Sequence, residues 1–228
     1  MVAIAGDVLD LVLPRRCVGC GARAAALCRR CGASHGIQRI DHGTVLVCAA
    51  AAYTGGVQKA LIRYKERGRR DLAGPLAALL ARAVREVLSA TGADGELRPV
   101  LVGIPSTRAA AAARGGDHVA RLARRAAVRC GVPLAARTLE LTREKLDSAG
   151  LSIADRAGNV CGALRAGPPS PRRAAVLVDD IVTTGATLRE AARALQSAGW
   201  PVLGAAVVAA TPRRRAGTIG TSGPGGLA

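Results

Sequence analysis

Apolar residues recur along the chain in two rhythms, short continuous runs and stretches spaced three to four apart. Val45–Tyr53, Arg98–Ile104, Ala175–Val178 and Val202–Ala209 are short apolar runs that read as strands, the second ended by Pro105. Gly56–Tyr64, Asp71–Leu88, Ala109–Cys130 and Thr187–Ala198 carry helical spacing. Asp71 is placed to cap the second of these, and Gly115-Gly116 breaks the third near its start. From about residue 98 strand and helix alternate, which predicts an α/β fold: a parallel sheet with helices on its faces.

The remaining stretches set the expected organisation. Residues 1–13 read as a short apolar helix ending at Pro14. Residues 14–44 form a separate cysteine-bearing segment, 45–211 the main domain, and 212–228 a Gly/Arg/Ser-rich tail expected to be disordered. Within the domain, residues 137–158 are polar and weakly periodic, predicting a long loop with a short helix from Ser152.

Composition narrows the function classes. The chain has 228 residues, half of them hydrophobic, which is enough for one sizeable core and rules out wholesale disorder. No apolar run reaches the roughly 20 residues needed to span a bilayer. The start, Val2–Leu13, carries Asp7 and Asp10 and lacks a basic leader, so a cytoplasmic protein is expected. With 33 Lys+Arg against 16 Asp+Glu the net charge is +17, which attracts polyanions. All but Lys59, Lys65 and Lys145 of those basic residues are arginines. The Arg and Ala enrichment with no Phe also resembles a GC-rich coding bias, which discounts part of that charge as a functional signal. Two Tyr, one Trp and no Phe leave little for a base-stacking platform.

Cys17-x-x-Cys20 and Cys28-x-x-Cys31 form two close pairs whose thiolates can converge tetrahedrally on one structural Zn2+. Redox pairs or incidental thiols are the competing reading. Cys48, Cys130 and Cys161 lie in apolar surroundings and are expected as buried small hydrophobes.

The most informative run is Ala175-Val176-Leu177-Val178-Asp179-Asp180-Ile181-Val182-Thr183-Thr184-Gly185-Ala186-Thr187. A buried strand ends in two carboxylates, where ligands bind in open α/β sheets. The Thr/Gly turn then offers hydroxyls, backbone N–H groups and a helix N-terminus to a phosphate. Sugar hydroxyls and one phosphate together match a ribose 5-phosphate end.

All thirteen positions resemble the binding signature of type I phosphoribosyltransferases, which use phosphoribosyl pyrophosphate (PRPP) and Mg2+. The chain over roughly residues 14–210 is similar to the ComF family of phosphoribosyltransferase-like proteins tied to bacterial DNA uptake. The four N-terminal cysteines carry that likeness, with Ala60-Leu61-Ile62-Arg63-Tyr64-Lys65, Gly150-Leu151-Ser152, Arg156, Asn159-Val160 and Gly162-Ala163. The family's Arg-Gly-Phe-Asn-Gln segment stands here as Arg114-Gly115-Gly116-Asp117-His118, and Ser148 replaces a common Gln.

The resemblance implies a type I phosphoribosyltransferase-like sheet with a small N-terminal zinc-ribbon-like segment. It assigns Asp179 and Asp180 as catalytic residues holding the ribose hydroxyls, directly or through Mg2+. Thr183, Thr184, Gly185, Ala186 and Thr187 then cradle the 5-phosphate. Pro105, Ser106, Thr107 and Arg108, with Arg114, stand as the pyrophosphate loop, and Arg143, Glu144, Lys145 and Arg156 in a hood loop. In so arginine-rich a chain, a solvated surface role competes for each of these basic residues. Thr183 stands where some purine enzymes carry an acid, so that acid–base step is not offered here.

The implied activity is transfer of phosphoribosyl to an unidentified acceptor with release of pyrophosphate. The alternative is non-catalytic sensing of PRPP or a nucleotide by a competence factor associated with single-stranded DNA. PRPP or a related ribose phosphate, the DNA-uptake machinery and a second copy in a homodimer are the implied partners. His35, His42 and His118 show no partner motif, and His118 is expected at the surface. Trp200 is expected to pack between helix and strand.

Overall fold

The computed structural model describes residues 16–23, 25–32, 36–92, 96–142 and 161–212. The elements in chain order are α1 (Arg29–Gly32), β1 (Gln38–Asp41), β2 (Leu46–Ala52), α2 (Gly55–Glu66), a 3-10 turn (Arg70–Leu72) and α3 (Ala73–Thr91). They continue with β3 (Arg98–Gly103), α4 (Arg108–Ala113), α5 (His118–Cys130), β4 (Leu139–Leu141), β5 (Leu164–Ala166), β6 (Arg173–Val182), α6 (Ala186–Ser197) and β7 (Val202–Ala210).

Five strands form one sheet in the order β1-β2-β7-β6-β3. β2, β7, β6 and β3 run parallel, and β1 closes one edge antiparallel. The parallel strands are short and apolar because helices cover both faces. Val176, Val178, Ala206 and Val208 face α2, α3 and α5 in one core, while Leu177, Ala205 and Val207 face α6 and the β4–β5 hairpin in the other. α3 buries Leu76, Ala77, Leu80, Val84 and Val87, one stripe at helical spacing, and ends at Gly92 in the left-handed region, where a Cβ would be strained.

Several boundaries differ from the sequence pattern. β6 runs to Val182 and not to Val178, because Asp179 and Ile181 stay in register with Val207 and Ala209 of β7. The stretch 109–130 is two helices, α4 and α5. Gly115 (φ 64) and Gly116 (φ 120) turn the chain between them. Asp71 falls in the 3-10 turn ahead of α3, whose N-cap position is Leu72, and it pairs with Arg69 at 2.7 Å. β1, too polar to stand out in the pattern, sits at the sheet edge where only one side pairs.

The cysteine segment packs on the helices that follow it. Cys17, Val18, Ala26 and Leu27 are buried in the same core cluster as α2 and α3. Gly19 and Gly56 make the fit: a Cβ on Gly19 would lie 2.9 Å from the Gly56 Cα. Residues 1–13, the tail beyond 212 and the segment 143–160 lie outside the described residues. No described helix is long and apolar enough to cross a membrane.

Candidate sugar-phosphate site and cysteine cluster

At the carboxyl edge of the sheet, β6 leads through Thr183, Thr184 and Gly185 into α6. Gly185 has φ 73, a conformation only glycine adopts freely. α4 and α5 are capped by their own side chains, Thr107 Oγ1 accepting from Ala110 N and Asp117 Oδ1 from Ala120 N. No side chain of the N-cap residue closes α6. The nearest substitute is Thr184 Oγ1, which accepts from Ala186 N at 3.4 Å. A polar cavity of about 40 Å³ opens over this turn, lined by Asp179, Ile181, Val182 and residues Thr183 to Leu188. Backbone N–H groups, hydroxyls and the positive end of a 12-residue helix converge there, the elements of a phosphate site.

The two neighbouring aspartates do different things. Successive side chains on a strand point to opposite faces, and β6 stays extended through both residues. Asp179 shares the face of Leu177 and lines the cavity. Asp180 shares the face of Val176 and Val178, and is 4% exposed. Its Oδ2 accepts from Lys65 Nζ at 2.7 Å and from His118 Nε2 at 2.8 Å. Burial alone would raise the Asp180 carboxyl; the hydrogen bond from His118 and the charge of Lys65 outweigh it and hold the group below the ordinary carboxylate range.

Sequence reasoning missed both partners. His118, expected at the surface, is 5% exposed. It lies 62 residues from Asp180, and no local pattern announces such a contact. Lys65 stood only as the last residue of the Ala60–Lys65 stretch of the family likeness, with no site role attached. Tyr64, beside it, donates its hydroxyl to the His118 carbonyl at 3.2 Å, so α2 holds the start of α5 through Tyr64 and β6 through Lys65.

The loop after β3 is continuous with this arrangement. Ile104 N donates to Val178 O at 3.0 Å, placing the loop next to β6. Pro105 and Ser106 are half-buried, Thr107 caps α4, and Arg108 and Arg114 are exposed at the two ends of that helix. Ser106 N and Oγ lie 3.5 Å from the Asp117 carboxylate. Arg70 and Arg121 both donate to the Gly115 carbonyl, adding two cations that the sequence did not single out. Arg143, Glu144, Lys145 and Arg156 lie outside the described residues. What is described of that region is its base: β4 and β5 pair antiparallel, and Glu190 of α6 accepts from Leu164 N at 3.2 Å.

The four N-terminal cysteines come together. All four sulfurs lie within 4.8 Å of one another, and Cys20 and Cys28 are 3.7 Å apart. A zinc ion with Zn–S of about 2.3 Å requires tetrahedral edges of about 3.8 Å. Burial opposes ionisation of Cys17, but the amides of Cys28, Cys20 and Gly19 pull its thiol down to about 6; burial and the neighbouring thiols push Cys31 up to about 12. The donor set and spacing fit a structural zinc. The other cysteines divide: Cys48 is buried, as expected, but Cys130 is half-buried and Cys161 exposed.

Comparison with curated proteins returns no match. A family model described as "Phosphoribosyl transferase domain" matches residues 76–218, more than half of the chain, and includes the β3 loop, β6, the threonine turn and α6. Strands β3, β6 and β7, the acidic end of β6 and the threonine turn are thus parts of one matched unit, and the chain belongs to the phosphoribosyl transferase domain family.

Proposed function

We propose that this chain binds PRPP at the carboxyl edge of β6 and β3 and transfers its phosphoribosyl group to a nucleophilic acceptor, releasing pyrophosphate. The observation that carries this reading is the polar cavity shared by Asp179, the threonine turn and the N-terminus of α6, whose N-cap Gly185 has no side chain to close it. The turn and helix end take the 5-phosphate, and Asp179 takes the ribose hydroxyls. Asp180 contributes by fixing the strand that carries Asp179 and not by direct contact.

The β3 loop adjoins β6 on the side where the diphosphate of a bound PRPP would lie, with Arg108, Arg114, Arg70 and Arg121 around it. In the transfer, the acceptor's lone pair forms a bond to ribose C1 while the C1–O bond breaks and diphosphate departs with the electron pair. Charge on that leaving group must be neutralised. Mg2+ fits the donor set, since it is commonly held by one or two carboxylates together with substrate phosphates. When bound, it neutralises and orients the diphosphate. The ComF-like features support a link to DNA uptake and leave the acceptor unidentified, and Ala60–Lys65 of that likeness is the part of α2 that delivers Lys65 to Asp180.

The test is thermal melting with millimolar Mg2+ and PRPP, followed by a pyrophosphate-release screen over nitrogen and oxygen nucleophiles. The wild type should gain stability with PRPP, and Asp179→Ala should lose that gain. Pyrophosphate release with one acceptor class establishes transfer. A PRPP-induced shift with no release over the whole screen would favour a sensing role, and no shift at all would remove the proposal.

A further inference from the structure

We propose that Lys65 and His118 are positioning residues of the ligand site: by clamping the Asp180 carboxylate from two helices, they hold the phosphate turn and the β3 loop in register. This rests on the functional reading above and names which side chains tune the site.

A PRPP molecule presents two phosphate ends, and the chain meets them with two separate segments. The 5-phosphate turn follows β6, while the loop at residues 104–108 follows β3. The strands themselves pair, with Gly103 opposite Val178. Past that point the ladder ends on the β3 side, and side chains carry the remaining links. Asp180, two residues before the end of β6, is the acceptor for His118 at the first position of α5. Asp117, one residue earlier, caps α5 and lies 3.5 Å from both the backbone N and the hydroxyl of Ser106. A chain of contacts thus runs from the turn strand through Asp180, His118 and Asp117 to the β3 loop. Lys65 adds the third element, α2, on the same Asp180 oxygen.

The clamp is built for a fixed geometry. The His118 side chain is 6% exposed and its Nδ1 is buried with no hydrogen-bond partner. A neutral ring donating from Nε2 leaves one orphan acceptor; an imidazolium would bury an unpartnered charged N–H, which is costlier. The arrangement therefore assigns Nε2–H of His118 as the donor to Asp180, with Lys65 placing a formal positive charge on the same carboxylate oxygen. Lys65 keeps 22% side-chain exposure, and its ammonium, with three donors, holds Asp180 without being sealed from solvent.

The experiment is isothermal titration of the full chain with PRPP and Mg2+, comparing wild type with Lys65→Met, Lys65→Arg, His118→Gln and the turn variant Thr187→Val. Lys65→Met and His118→Gln should each weaken PRPP at least tenfold, and Lys65→Arg should recover most of the loss. Inorganic phosphate, which occupies one subsite, should lose no more than about threefold in the same two variants. Nitrogen NMR of His118 should show the Nε2–H tautomer in the wild type and lose that signature in Asp180→Asn. Should PRPP bind the wild type, fail on Thr187→Val, and bind Lys65→Met and His118→Gln as tightly as wild type, the clamp proposal falls while the functional reading stands. Failure of the wild type to bind PRPP overturns the functional reading and the clamp with it. Where Lys65→Met does not fold, Lys65→Arg and His118→Gln decide.

Discussion

Lys65→Met tests the energetics of the buried carboxylate. Methionine keeps most of the aliphatic stem, so the change removes the charge with little loss of packing. Asp180 then keeps His118 but loses the Lys65 ammonium, in a site where it is 4% exposed. Breaking a buried pair by removing one partner costs about 3–5 kcal/mol. Lys65 is 22% exposed and His118 stays in place, so the lower end, about 3 kcal/mol, is expected. For a domain of this size, each kcal/mol moves the melting temperature by about 2–4 °C, giving a drop of about 6–12 °C at neutral pH.

Acid should erase the difference. The folded Asp180 carboxyl titrates below its ordinary value, so its stabilisation is complete above about pH 3.9 and is lost as pH falls through the folded value. Lys65→Met raises the folded value, so the deficit of the variant narrows as pH falls toward and below about 4. The double variant Lys65→Met/Asp180→Asn, which removes both charges, should melt closer to wild type than Lys65→Met alone. The assay is calorimetric or fluorescence melting across pH. A Lys65→Met variant melting within about 2 °C of wild type at neutral pH would refute the reasoning, since a buried carboxylate cannot lose its cation without cost.

Other outcomes are expected from the same structure. Metal analysis should find about one zinc per chain, lost in Cys17→Ser, and chelation should lower the melting temperature because metal binding contributes directly to folding. Gly56→Ala places a Cβ 2.7 Å from the Cys31 Cβ, forcing the cysteine segment off α2; a cost of about 1–3 kcal/mol is expected in melting, with zinc retained. Thr107→Ala removes the cap of α4 and should cost about 1 kcal/mol, read by denaturant midpoint.

The parts of the molecule that announce themselves in sequence are those whose chemistry is local. Four cysteines in two close pairs, and a strand–turn–helix written in thirteen consecutive residues, carry their own spacing, and the structure places each as a unit. What the sequence concealed depends on geometry between distant segments. Asp179-Asp180 reads as a polar end to an apolar strand, yet ladder pairing with β7 carries the strand on to Val182, and alternation then sends the two carboxylates to opposite faces. His118 and Lys65 have no periodic signature, because their partner lies on a strand 62 or more residues away. β1 escaped notice because an edge strand needs only one paired side and tolerates Gln, Arg and Asp. The helical pattern over 109–130 concealed two helices because Gly115-Gly116 reads as a weak point and is in fact a turn.

The most direct measurement is a backbone-amide NMR titration of the full chain with PRPP and Mg2+. Saturable shifts should centre on the amides of Thr183 to Thr187 and on Asp179, with a second set at Ser106 to Arg108. Saturable binding whose shifts spare the threonine turn, or no saturable binding at all, would contradict the account.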